Sequence, residues 1–220
     1  MTKLTIPGSK YSVLEYSILT TILLLLFASL SFAQDQDSAM ATLLKTNLLS
    51  NPGAETKDAS GWESVTVDAS GKKLITAGLY PTPSSTSGSY YFRGVVGGEQ
   101  REASAYQYFD LSILSDVIDK GALAYNLSGS FGGGDYATSL INVQFLDAKG
   151  NNIRTYYTKN IILDEVGADS LNIYPTGKTG TVPKGTRKMT VQLRFYKYSI
   201  LDEPSVAFAD NLGLYLYRKY

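Results

Sequence analysis

The sequence predicts an all-β protein, an antiparallel β-sandwich preceded by an export leader. Three observations carry this. Short alternating or β-rich runs recur along the chain, separated by Gly, Pro, Asn, Asp and Ser. No helix of ordinary length is visible after the leader. The chain has 220 residues, 44% of them hydrophobic, enough for one domain with a sizeable core and no covalent staples.

The strands follow in order. Ser89–Gly94 is β-rich. In Ala103–Leu111, Ala105, Gln107 and Phe109 alternate with Tyr106, Tyr108 and Asp110. Ala122–Gly129 comes next and contains the sequon Asn126-Leu-Ser128. Ser139–Leu146 and Ile153–Tyr157 flank the turn Asp147–Asn152 and read as a hairpin. Val182–Thr186 turns into Lys188–Tyr196. There Met189, Val191, Leu193 and Phe195 form an apolar face, while Thr190, Gln192, Arg194 and Tyr196 form a polar one, the pattern of a half-buried strand. Val206–Tyr217 is the last strand. The one helical candidate inside the domain is Leu111–Lys120.

The first 33 residues read as an address. Lys3 and Lys10 precede an uncharged stretch from Ser17 to Ala33, rich in Leu and Ile and ending in Ser31-Phe32-Ala33. That order is a secretory signal with small residues at its cleavage site; an uncleaved anchor is the alternative. Residues 34–46 read as a polar linker with a short helix at Ala39–Leu44, and 47–220 as the sandwich. The mature protein is expected outside the membrane: secreted, periplasmic or at the cell surface.

Composition excludes much chemistry. There is no His and no Cys, so His-based triads, thiol catalysis, zinc held by His or Cys, and disulfides are all ruled out. Oxygen-ligated Ca²⁺ or Mg²⁺ remains. Twenty basic residues balance twenty acidic ones, which argues against a nucleic-acid partner. Gly94–Gly98 and Gly129–Gly134 lack the Lys-Ser/Thr of a phosphate loop.

The two ends carry a resemblance. Asn47-Leu-Leu-Ser-Asn-Pro-Gly-Ala-Glu55 with Ser60-Gly-Trp62, and Ala207-Phe-Ala-Asp-Asn-Leu-Gly-Leu-Tyr-Leu216, resemble the galactose-binding-like jelly rolls, among them carbohydrate-binding modules of the family 4, 9, 16 and 22 types. Gly88-Ser-Tyr-Tyr-Phe92, Ala105–Ser112 and Val182–Arg194 extend the likeness across Asn47–Tyr217. It implies a jelly roll whose first and last strands are neighbours. It also implies a structural calcium ion held by Glu55, Asp210 and the Gly53 carbonyl, with a carbonyl near Lys72; ordinary turn roles for both acids are the alternative. Trp62 falls at the family's buried tryptophan, with sugar stacking as its other reading.

A glycan site needs aromatic faces and planar polar groups. Candidates are Tyr90, Arg93, Gln107, Gln144, Tyr156, Gln192, Arg194 and Tyr196, with Tyr80 and Tyr198 beside them. If Arg93, Gln107, Gln144, Gln192 and Arg194 face one sheet, they line a groove; the alternative is a solvated face with cross-strand polar pairs. Three functions follow. The first is a non-catalytic module binding a polysaccharide or glycan. The second is a structural or adhesive protein that self-associates. The third is a jelly-roll lyase or glycosidase, for which no carboxylate pair stands in a recognisable motif.

Overall fold

A computed structural model describes residues 21, 38, 40–44, 46–84, 88–98, 100–134, 136–159, 173–198 and 204–219. The leader, apart from position 21, lies outside the described residues, as does Ala39 of the expected short helix; residues 40–43 of that helix are helical. No helix among the described residues is long and apolar enough to cross a membrane.

The compact unit Leu43–Tyr220 is built from two antiparallel sheets. The strands are β1 (Ile75–Ser84), β2 (Gly88–Val96), β3 (Glu102–Asp110), β4 (Leu123–Gly133), β5 (Ala137–Leu146), β6 (Asn152–Tyr157), β7 (Ile173–Thr181), β8 (Lys188–Lys197) and β9 (Ser205–Arg218). One sheet runs β1-β2-β9-β4-β7 and the other β3-β8-β5-β6. The helical candidate is a 3-10 turn at Ser112–Leu114, which buries Leu114, followed by α1 (Ser115–Asp119), which buries Ile118.

Cross-strand partners share a face, so the register defines the core. On the four-stranded sheet, Ala105 pairs with Leu193 and Leu193 with Ile141; Val191 likewise pairs with Val143. All are buried, as are Phe145, Met189 and Phe195 in the same layer. Phe92, Tyr125, Leu127, Phe131, Leu214 and Leu216 of the other sheet are buried too, and Tyr125 packs on Phe145 across the core. The sheets approach closely at Gly94, where a Cβ would fall on the Phe195 ring. Trp62 is buried edge-on to Phe92, centroids 5.8 Å apart, and so packs in the core.

The half-buried pattern of β8 needs correction. Thr190 and Gln192, on its polar face, are buried too. That face is a packed polar layer with exposed aromatic residues, rather than a solvated surface.

The N-terminal segment forms no strand beside β9. It is tied there by side chain and backbone. Asn47 Nδ2 donates to the Leu212 carbonyl and Asn47 Oδ1 accepts from Leu214 N–H. Leu48 N–H donates to the Leu214 carbonyl, and Leu212 N–H to that of Pro52.

Candidate functional site

The structure divides the expected glycan residues. Gln144, Gln192, Arg194 and Tyr196 share the face of the four-stranded sheet turned away from the core, as register shows. Tyr108 pairs with Thr190 and Thr190 with Gln144; Tyr106 pairs with Gln192 and Gln192 with Asn142; Ser104 pairs with Arg194; Glu102 pairs with Tyr196. Gln107 and Tyr156 lie on the opposite, inward face, in the row of Val191 and Val143. Gln107 is buried, accepting from Ser50 N–H and donating to the Ser50 carbonyl, both at 2.9 Å. Tyr156 packs on Tyr125 and Phe145. Tyr90 and Arg93 belong to β2, in the other sheet. Tyr198 stands edge-on to Tyr136 at the end of β8.

Sequence reasoning left out the residues that make this face distinctive. Tyr106 and Tyr108, two apart on β3, hold their rings 7° from parallel with centroids 6.3 Å apart. That separation is close to two residues of strand rise, so the rings stand parallel, one alternate-residue step apart along β3. Tyr108 is 53% exposed. The alternation of Ala103–Leu111 already set these two tyrosines on one face. Arg194 forms a fork on Glu102, with Nε at 3.0 Å from Oε1 and Nη2 at 2.7 Å from Oε2, and lies 5.7 Å from the Tyr196 ring centre. Burial works to raise the Glu102 carboxyl, but bonds from Arg194 and Ser104 outweigh it and hold it below its ordinary value.

A second cluster joins the chain ends. Asp210 on β9 is fully buried. Tyr80 Oη donates to its Oδ2 and Asn211 N–H to its Oδ1, each at 2.7 Å. Burial pushes the Asp210 carboxyl up to about 6; the two donors oppose this, and the nearby Glu55 charge adds to it. Burial first, then Asp210, pushes the Tyr80 hydroxyl well up. Glu55 Oε1 accepts from Ser89 and Tyr90 N–H at 3.0 Å. Gly88, at φ +70°, permits this, since a Cβ there would fall on the Glu55 carboxylate. A Cβ on Gly53 would lie 3.0 Å from Asp210 Oδ1 and 3.9 Å from Glu55 Oε1. Gly53, Glu55 and Asp210 thus meet, lining a cleft of about 480 Å³ with Asn47, Asn51 and Asn211. The Lys72 carbonyl accepts from Asp68 N–H and closes a separate turn.

This donor set fits a hard cation. Two carboxylates that repel one another face a cleft, and a hard cation takes oxygen ligands of this kind. Among the described residues, no group of three or more His, Cys, Asp or Glu is placed to hold a metal, so backbone carbonyls would have to complete the shell.

No protein-family model and no curated protein matches the chain. Solved structures do. The enzymatically active domain of tailspike protein 4 from bacteriophage CBA120 superposes with a TM-score of 0.54 at 18% identity, over 77% of this chain and 21% of the tailspike chain. The present chain therefore spans about a fifth of that protein. TmCBM61, solved in complex with β-1,4-galactotriose, gives 0.48 at 19% identity, over 80% of this chain and all of its own. A family 16 carbohydrate-binding module gives 0.44 at 19% identity, over 76% and 99%. With its two antiparallel sheets, the chain folds as a jelly-roll β-sandwich.

Proposed function

We propose that the protein is a secreted, non-catalytic, lectin-like module that binds a polysaccharide or glycan, with a structural calcium ion at the cleft of Gly53, Glu55 and Asp210. The observation that carries glycan binding is the parallel Tyr106–Tyr108 pair, bordered on one sheet face by Gln144, Gln192 and Arg194. Flat rings receive the C–H faces of a pyranose, and the Gln144 amide and the tyrosine hydroxyls serve its hydroxyls. A non-catalytic role is supported by the lack of His and Cys in the sequence, and by Glu102 being engaged with Arg194.

For calcium, support comes from the mutual approach of Glu55 and Asp210 beside the Gly53 backbone. The ion would supply positive charge that the two carboxylates otherwise lack, and would pin the N-terminal loop to β9. Export is supported by the leader pattern of residues 1–33.

Affinity electrophoresis of the purified domain through gels loaded with soluble polysaccharides tests the binding role. At least one polymer should retard the wild type. Tyr108→Ala should weaken that binding about 30-fold, the scale of an aromatic hot spot, with an unchanged melting temperature. Undiminished binding by a folded Tyr108→Ala variant would remove the tyrosine pair from the site.

A further inference from the structure

Around the tyrosine pair, polar side chains form one hydrogen-bonded chain across β5, β8 and β3. Asn142 Nδ2 donates to Gln192 Oε1 at 2.8 Å. Gln192 Nε2 donates to Ser104 Oγ at 3.0 Å and to Tyr106 Oη at 2.8 Å. Ser104 Oγ donates to Glu102 Oε1 at 2.9 Å, and Arg194 closes the chain on Glu102. Asn142, Gln192 and Ser104 are all buried.

The direction of this chain is fixed from one end. The Arg194 fork keeps Glu102 ionised, and a carboxylate only accepts. Ser104 has one hydroxyl proton, which goes to Glu102. Gln192 must then turn its NH₂ towards Ser104 and its carbonyl towards Asn142, which answers with its own NH₂. Asn142 Oδ1 is the loose end: a buried acceptor with no donor. Tyr106 Oη, already receiving a proton from Gln192, keeps its own proton for another partner.

Charge along β3 and β8 on this face is paired as well. Along β3 and β8 it carries Glu102 forked to Arg194, and Asp110 opposite Lys188. The Arg194 guanidinium is therefore engaged within the protein, where a uronate- or sulfate-binding face would hold it open to the ligand.

We infer that Tyr106 is a specificity-determining residue whose hydroxyl donates to an acceptor oxygen of an uncharged glycan, its direction set by the relay from Glu102; this rests on the glycan-binding role proposed above. Ser104 and Gln192 are positioning residues. They orient Tyr106 without needing to touch the ligand.

The test uses neutral galactan, xylan, glucomannan and mixed-linkage β-glucan beside anionic polygalacturonate and alginate. A neutral polymer should retard the wild type and the anionic ones should not. Tyr106→Phe keeps the ring and loses the donor, so affinity should fall about three- to tenfold, the range of one net hydrogen bond, with no change in melting temperature. Ser104→Ala should lower affinity while Tyr106 is intact. In the ligand-free protein, ¹⁵N-edited NMR reads the relay directly: Gln192 side-chain NH₂ protons should show contacts to the Tyr106 ring and Ser104 Hβ.

NH₂ contacts to Asn142 in their place, full affinity in Tyr106→Phe, or preference for the anionic polymers would each overturn the inference. If Tyr108→Ala abolishes binding while Tyr106→Phe leaves it intact, this inference falls and the glycan role stands. If no polymer binds the wild type, both fall.

Discussion

Asp210→Asn separates a cation site from an ordinary buried turn residue, because the two make opposite demands on stability. The carboxyl is fully buried, accepts from Tyr80 and Asn211, and faces Glu55. Holding it at about 6 against an ordinary 3.8 makes its ionised form costly. At 1.36 kcal/mol per pH unit that is about 3 kcal/mol. The carboxylate lines the open cleft beside Glu55, and solvent screening there lowers the figure to about 2 kcal/mol. The sign follows from linkage. A raised carboxyl contributes its full stability below its unfolded value of 3.8 and loses it as pH rises through about 6. In EGTA, the wild type should therefore lose about 2 kcal/mol between pH 4 and pH 7.5, while Asp210→Asn stays flat. At pH 7.5 the variant should melt about 4 to 8 °C higher, on the scale for a domain of this size. Calcium reverses the order. At a hundred times its Kd it adds about 2.7 kcal/mol to the wild type and little to the variant, which has lost one of two carboxylates. Differential scanning fluorimetry at pH 4, 6 and 7.5, with EGTA or 5 to 10 mM Ca²⁺ (about a hundredfold over a sub-millimolar Kd), reads all of this. A variant less stable than wild type in EGTA at pH 7.5, with no calcium shift in the wild type, would make Asp210 an ordinary buried turn residue.

Gly94→Ala drives a methyl group into the Phe195 ring between the sheets. It should cost about 1 to 3 kcal/mol in urea unfolding, and unchanged stability would mean the sheets separate more easily than their packing implies. Glu102 gives the second pH dependence. Burial raises its carboxyl, but Arg194 and Ser104 bring the net effect below the ordinary 4.5. A depressed acid keeps its contribution above the unfolded value and loses it as pH falls through the folded one. Glycan affinity, measured by calorimetry, should be flat from pH 8 to pH 5 and fall only in acid below the ordinary carboxylate value of 4.5; a midpoint near neutrality would detach the relay from binding.

Much of the fold was legible because its central strands obey simple alternation. Lys188–Tyr196 and Ser139–Leu146 are flanked on both sides by other strands, and their apolar periods show it. β1 and β7 were missed for a physical reason. Both are edge strands, and edges tolerate residues that central strands reject. β1 carries Pro81 and Pro83, and β7 carries Pro175, Gly177, Lys178 and Gly180, all of which read as loop signals. The motif ends were informative because each is a short run with its own turn chemistry, which the fold then brings together: Asn47 bonds Leu212 and Leu214, and Gly53 and Glu55 approach Asp210. The glycan face was harder. Alternation assigns a side chain to one of two faces, but it does not say which sheet the strand joins. Tyr90 and Arg93 alternate as well as Gln192 does, yet they belong to the other sheet. Gln107 alternated with the apolar residues of its own strand, and that parity, rather than its polarity, decided where it went.

Gln107 also explains how the two proposed sites sit on one small sandwich without interfering. Its amide bonds both the N–H and the carbonyl of Ser50, as a strand neighbour's backbone would. Ser50 begins the loop that carries Gly53 and Glu55. From β3, then, odd-numbered Gln107 reaches inward to steady the loop of the proposed cation site, while even-numbered Tyr106 and Tyr108 turn outward as the proposed glycan surface. Asp210 lies in the other sheet, in the outward row of Phe208, with the core between it and the tyrosine pair. A sheet-to-sheet spacing of about 10 Å puts the two sites beyond the range at which mutational effects couple strongly. Asp210→Asn should thus move melting and leave glycan affinity alone, and Tyr108→Ala the reverse. Position 107 is where the two could communicate, because one side chain there holds the strand of one site to the loop of the other.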